Sequence, residues 1–137
     1  MIEVIKHHDL SETIIKCAFE VYNCLGSGFL EKVYVNALLV ELVRHDIAAT
    51  SQTCIKVRYK GTIVGDYIAD IVVEDKVIIE CKAVEKMIDI HELQLKNYLK
   101  ATGIEVGVLL NFGKSLEIRR KFVQAVECYA LENRVES

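Results

Sequence analysis

Tyr67-Ile68-Ala69-Asp70-Ile71-Val72-Val73-Glu74-Asp75-Lys76-Val77-Ile78-Ile79-Glu80-Cys81-Lys82-Ala83 is the stretch on which the fold turns. Two β-branched runs flank a short polar turn, which is the pattern of an antiparallel hairpin. Ile71, Val72 and Val73 are consecutive, as are Val77, Ile78 and Ile79, so both strands read as buried on both faces. Asp70, Glu80 and Lys82 interrupt those runs. A lone carboxylate in such a layer is strongly unfavourable unless something compensates it. Charge therefore stands where charge is expensive.

Strand alternation puts Glu80 and Lys82 on one face and points Cys81 to the other. Asp70 joins Glu80 and Lys82 only under an even pairing. A three-residue turn at Glu74-Asp75-Lys76 sets Asp70 opposite Glu80, and one at Asp75-Lys76-Val77 sets it opposite Lys82. A two-residue turn at Asp75-Lys76 sets it opposite Cys81, and a bulge is then needed to rebuild the cluster. The sequence thus predicts an odd turn or a bulge. Two carboxylates would then converge beside one ammonium, an oxygen-rich arrangement suited to Mg²⁺ or Mn²⁺. On spacing alone, a structural Asp–Lys or Glu–Lys pair across the hairpin fits equally well.

The rest of the chain bounds the reading. Its 137 residues are the length of one domain, residues 1–137, and 52% apolar content makes it globular. No apolar run reaches membrane-span length, and the N-terminus lacks the apolar core of a secretory signal. The expectation is a cytoplasmic protein with no membrane partner. A net charge of −3 argues against coating nucleic acid by bulk charge. The five cysteines form no C-x-x-C pair and the four histidines show no ligand spacing, so zinc and thioredoxin-like chemistry are disfavoured.

Working outward, Ser11 is placed to cap a helix with apolar positions at Ile14, Ala18, Phe19 and Tyr22, ended by Gly26-Ser27-Gly28. A second helix spans about Leu30 to Arg44, with Glu31 in its first turn. Gln52 to Lys60 alternates as a strand with a basic face of Lys56, Arg58 and Lys60, and Thr62 to Glu74 follows, with Gly65 a candidate bulge. A helix from about Ile90 to Ala101 puts Gln94 and Tyr98 on one face. A buried strand from Glu105 to Asn111 and an edge-like strand from Ser115 to Phe122 complete the sheet, and the segment from Val123 to Ser137 has weak helical spacing. The edge near Leu116 leaves pairing into a homodimer open. The order ααβββαββ is that of an α/β (α+β) fold, a mixed sheet flanked by helices.

Gly28-Phe29-Leu30-Glu31-Lys32-Val33-Tyr34 matches the Gly-x-x-Glu-x-x-Tyr signature of the GxxExxY protein family, which resembles the PD-(D/E)XK nuclease superfamily. Asp70 followed by Glu80-Cys81-Lys82 is similar to that superfamily's Asp…Glu-x-Lys pattern. Gln94 to Tyr98 resembles its Gln-x-x-x-Tyr element, and Asn111-Phe112-Gly113 also matches the family. The likeness runs from about Leu10 to Phe122, with Ser27 and Cys81 standing where the family often has proline and leucine. It implies a restriction-endonuclease-like core and a metal-dependent nuclease hydrolysing phosphodiester bonds in DNA. Asp70 and Glu80 would hold Mg²⁺ or Mn²⁺ with the carbonyl of Cys81, and with Glu31 directly or through water. Lys82 would orient the attacking water, and Gln94 and Tyr98 would shape the site. Lys56, Arg58, Lys60 and the run Arg119, Arg120 and Lys121 are candidates for holding phosphates.

Two other readings compete. One is a catalytically inactive nuclease-fold module that binds nucleic acid or a protein partner. The other is a thiol enzyme using Cys81, which alternation disfavours by pointing its sulfur away from Glu80 and Lys82.

Overall fold

A computed structural model of the chain describes residues 7–124. The expectation for the C-terminal segment falls almost wholly outside them. Helix α1 (His8–Leu25) buries Ile14, Cys17, Ala18 and Val21, the stripe its spacing predicts, and stops at Gly26 in a left-handed φ of 70°. It starts three residues before the expected cap. Ser11 lies inside the first turn, where its hydroxyl donates to the His8 carbonyl at 3.0 Å and so satisfies itself within the helix.

Helix α2 (Glu31–Arg44) follows a short loop that Tyr34 holds in place. The Tyr34 hydroxyl donates to the Gly26 carbonyl at 2.6 Å and accepts the Phe29 N–H at 3.2 Å. Its ring stacks on Phe112, with centroids 4.5 Å apart and planes at 9°. The tyrosine of the Gly-x-x-Glu-x-x-Tyr stretch is therefore a core anchor that sets where Glu31 stands.

Among the described residues, five strands form one sheet in the order β1 (Ala49–Tyr59), β2 (Thr62–Val73), β3 (Val77–Lys82), β4 (Val106–Phe112) and β5 (Leu116–Phe122). Only β3 and β4 are parallel, joined by a crossover through helix α3 (Asp89–Thr102). The sheet is mixed and the order is ααβββαββ, as the sequence predicts. Helices α1 and α2 cover one face through Ile14, Tyr34 and Leu38 against Ile71, Ile79 and Val108. Helix α3 covers the other through Leu95, Tyr98 and Leu99 against Ile78 and Leu109. Among the described residues no helix is long and apolar enough to cross a membrane.

The hairpin turn is Glu74-Asp75-Lys76, with Glu74 and Asp75 both left-handed and Val73 paired to Val77. This is an odd, three-residue turn, as the sequence predicts, and it sets Asp70 opposite Glu80. Strand β2 pairs with β3 only through Ile71, Val72 and Val73, so most of the β1–β2 ribbon extends past the shared sheet along α3. The candidate bulge at Gly65 is present: Val57 pairs with Gly65 but Arg58 with Ile63, leaving Val64 as the extra residue.

Strict alternation fails again further along β2. Ala69 and Val72 pack on the α3 face while Ile71 packs on the α1–α2 face. The break falls at Asp70, and opposite it Gln52 carries a φ of 54°. Both strands change face there together, so the cross-strand partners stay matched on either side of the break.

Beyond Lys82 the chain leaves β3 but stays tied to β4. The buried Asn111 side chain accepts the Val84 N–H at 2.9 Å and donates to the Val84 carbonyl at 2.9 Å and to Glu117 at 2.8 Å. Gly113 completes this clip, because a Cβ there would lie 2.6 Å from the Val84 carbonyl oxygen and 3.1 Å from the Asn111 amide. Gly113→Ala is expected to lower stability by about 1–3 kcal/mol in urea unfolding through this overlap.

Candidate active site

The β2–β3 ladder ends at Ile71 and Ile79, and one rung further two side chains replace it. The Asp70 N–H donates to Glu80 Oε2 at 2.8 Å, and the Cys81 N–H donates to Asp70 Oδ2 at 2.8 Å. Each carboxylate thus accepts a backbone donor of the other strand. The arrangement locks both acids into one orientation and satisfies donors that the parting strands would leave unpaired.

Burial sets the electrostatics. Glu80 is 6% exposed. Desolvation, then the Asp70 charge, push its carboxyl up to about 8, with Glu31 adding in the same direction. The Asp70 N–H and the Lys82 ammonium oppose that rise. Asp70 is also raised, mainly by burial, against the pull of the Cys81 N–H and Lys82. Three acids share this end of the sheet with one ammonium, so the site is short of positive charge.

The predicted site residues fall into place unevenly. Asp70, Glu80 and Lys82 are electrostatic neighbours at the end of the hairpin. Tyr98 reaches the same place from α3, where burial and the Glu80, Tyr67 and Asp70 groups hold its hydroxyl above its ordinary range. Glu31, at the first position of α2, is exposed and acts on both Glu80 and Cys81 by its charge. Gln94 lines the cleft beside Tyr98, one helical turn away. The Cys81 thiol is fully buried in the α1–α2 core, and burial pushes it well above its ordinary value. A protonated, enclosed thiol is no nucleophile, which removes the thiol-enzyme reading.

Lys56 and the basic residues of β5 are engaged elsewhere. Lys56 pairs with Asp66 at 2.8 Å, Arg119 with Glu92 and Glu117, Arg120 with Glu12, and Lys121 with Glu92. The run Arg119, Arg120 and Lys121 ties β5 to α1 and α3, so the expectation that it holds phosphates is not supported. The sequence pattern does not single out a second aromatic beside Tyr98. Tyr67 stands with its ring centroid 5.7 Å from that of Tyr98. The three-residue offset from Asp70 hid it, since alternation assigns the two to opposite faces and the break at Asp70 brings them together.

A family model describing the PD-(D/E)XK nuclease superfamily matches residues 8–121. The chain belongs to the PD-(D/E)XK nuclease superfamily. Among solved structures, an alkaline exonuclease, LHK-Exo from Laribacter hongkongensis, is similar with a TM-score of 0.54 at 13% identity. That match covers 96% of this chain and 78% of the exonuclease. The crystal structure of SSO0001 is similar with a TM-score of 0.52 at 16% identity, covering 94% of this chain and 66% of the other. At these identities the likeness is one of fold. No curated protein matches the chain.

The superfamily's Asp…Glu-x-Lys pattern thus coincides with the carboxylate exchange at Asp70 and Glu80 and with Lys82 beside it. Among the described residues no three His, Cys, Asp or Glu side chains form a ready cluster around an ion. The convergent donors are two carboxylates, and they are hard oxygens, which fit Mg²⁺ or Mn²⁺ better than softer metals. A dication would also offset the local surplus of negative charge.

The raised Glu80 carboxyl gives a signed prediction for protein kept in a chelator. The folded value, about 8, exceeds the ordinary 4.5, so this group's stabilising share is complete below pH 4.5. It is lost as pH climbs through 8. The melting temperature is expected to fall between pH 5 and pH 8.5 by roughly 5 °C or more, and Glu80→Gln is expected to flatten that fall.

Proposed function

We propose that the protein is a metal-dependent nuclease that hydrolyses phosphodiester bonds in DNA. One observation carries the reading: the buried Glu80 and the half-buried Asp70 stand side by side, each oriented by the other strand's backbone, with Lys82 as their cation. The backbone exchange gives both carboxylates a structural task, yet it leaves an excess of negative charge that Lys82 only partly offsets and that a bound cation would balance. Membership of the superfamily and the exonuclease among the similar folds point the same way.

Asp70 and Glu80 would hold Mg²⁺ or Mn²⁺, since each carboxylate uses one oxygen in the backbone exchange and keeps a second. The Cys81 carbonyl would add a further oxygen, and Glu31 one more, directly or through water. When bound, such an ion supplies charge that polarises the phosphodiester and lowers the pKa of water. Lys82 would hold the attacking water and offset negative charge growing on the phosphate. The water's oxygen forms the new bond to phosphorus, the bond to the leaving oxygen breaks, and that oxygen takes up a proton. Tyr98 and Gln94 would wall the site from α3 and position the strand.

Incubation of purified protein with linear DNA and Mg²⁺ or Mn²⁺ tests this. Asp70→Asn, Glu80→Gln and Lys82→Ala are each expected to reduce cleavage on the order of 100-fold or more. Equal cleavage by wild type and variants would place the activity elsewhere. Calorimetry with Mn²⁺ gives a second readout: binding is expected in the wild type and is expected to be lost in Glu80→Ala. An absence of both cleavage and Mn²⁺ binding in the wild type would favour an inactive binding module instead.

A further inference from the structure

Between the β1–β2 ribbon and α3 lies an open cleft of about 590 Å³. That is a size typical of small-ligand sites, roughly 300–1,000 Å³. Val64 and Tyr67 wall it from the ribbon, and Leu93, Asn97, Tyr98 and Ala101 from the helix. Its lining is mainly apolar and aromatic, with the Asn97 and Gln94 amides and the Lys100 ammonium among its polar groups. Tyr98 links the cleft to the carboxylates: it lines the cleft, its hydroxyl feels the Glu80 and Asp70 charges, and its ring tilts against Tyr67 at 43°. The two rings differ in freedom. Tyr98 is 6% exposed and fixed in the core, whereas Tyr67 is 47% exposed and presents an open face.

We propose that this cleft receives an unpaired base of single-stranded DNA, stacked on Tyr67, beside the phosphodiester to be cut. The inference rests on the nuclease reading, because it places the scissile phosphate at Asp70 and Glu80. A paired duplex keeps its base faces stacked and out of reach of Tyr67, whereas an unpaired base fits within the cleft with room to spare and offers an aromatic face whatever its identity. The amides of Asn97 and Gln94 suit base edges, and Lys100 suits a flanking phosphate. Charge favours the same occupant. The protein is net acidic and the cations of β5 are paired to carboxylates, so grip on a strand comes from stacking more than from phosphate neutralisation.

The test uses the full chain in Ca²⁺, with a fluorescein-labelled mixed-sequence 12-nucleotide single strand and the matching blunt duplex as probes, read by anisotropy. The single strand is expected to bind about 10-fold tighter than the duplex, and Tyr67→Ala to weaken it by about 10-fold. Tyr67→Phe is expected to stay within about 2-fold of wild type, because stacking needs the ring and not the hydroxyl. Leu93→Glu offers a second route on an exposed helical position that tolerates the change, and is expected to weaken single-strand binding as well. Melting curves verify that each variant is folded. Equal affinity for strand and duplex, unchanged in Tyr67→Ala, would overturn the proposal, as would a loss in Tyr67→Phe equal to that in Tyr67→Ala. The two readings separate cleanly. Tyr67-dependent strand binding without any cleavage in Mg²⁺ or Mn²⁺ removes the nuclease reading and keeps the base site. Cleavage of single strands that is indifferent to Tyr67→Ala and Leu93→Glu keeps the nuclease reading and removes the base site.

Discussion

The structure depends on an exchange of two carboxylates across the end of a hairpin. Asp70 takes the backbone donor of Cys81, and Glu80 takes that of Asp70. Where β2 and β3 part, two N–H groups would otherwise face a nearly dry layer, and an unpaired buried donor is costly. Two acids solve that problem and create another, because both charges are then desolvated next to one another. Lys82 offsets only part of the excess, which is why Glu80 holds its proton up to about pH 8 in the absence of a further cation. The hydrogen bonds fix the geometry of the acids, while their shortage of partner charge leaves them poised to accept one.

The surrounding fold serves that exchange. Parallel pairing of β3 with β4 runs alongside Glu80, Cys81 and Lys82, so the strand carrying them is held along its whole length on that side. On its other side β3 is paired for only three rungs. The site therefore sits at a split, rigid on one side and open on the other. Asn111 prolongs the rigid side by gripping Val84 after β3 has ended, and Phe112 stacks on Tyr34, which sets the loop ahead of Glu31. The Asn-Phe-Gly and Gly-x-x-Glu-x-x-Tyr stretches are thus two parts of one brace, joined by that aromatic stack.

Much of this was legible in the chain. The order of elements and the odd turn followed from hydrophobic period and from the price of burying charge, since a register slip by one residue would have turned Asp70 away from Glu80. Helix ends at Gly26 and Gly103 were legible because both take left-handed φ, for which glycine is the common signal. Other features carried no such signal. Gln52 is left-handed without being glycine, so the change of face at Asp70, and with it the approach of Tyr67 to Tyr98, could not be read from alternation. Ser11 resembles a cap in sequence, yet its hydroxyl is satisfied one turn back inside the helix. The basic face of β5 looked available because a strand pattern shows only its own charges, not the Glu12 and Glu92 that α1 and α3 bring against it.

That pairing of surface cations has a consequence for how such a site meets its substrate. A protein whose β5 cations are paired with its own carboxylates, and whose net charge is −3, cannot draw a polyanion by a broad positive field from that strand. Attraction must then be local: Lys82 at the carboxylates, Lys100 in the cleft, and aromatic surface between them. Tyr98 is the joint of this arrangement, since one end of it faces the acids and its ring forms the inner wall of the cleft. The same burial that raises the carboxylates makes that wall apolar. A dry, acid-bearing end of a sheet and a slot for an aromatic face are therefore two results of a single choice, the packing of α3 over the split between β2 and β3.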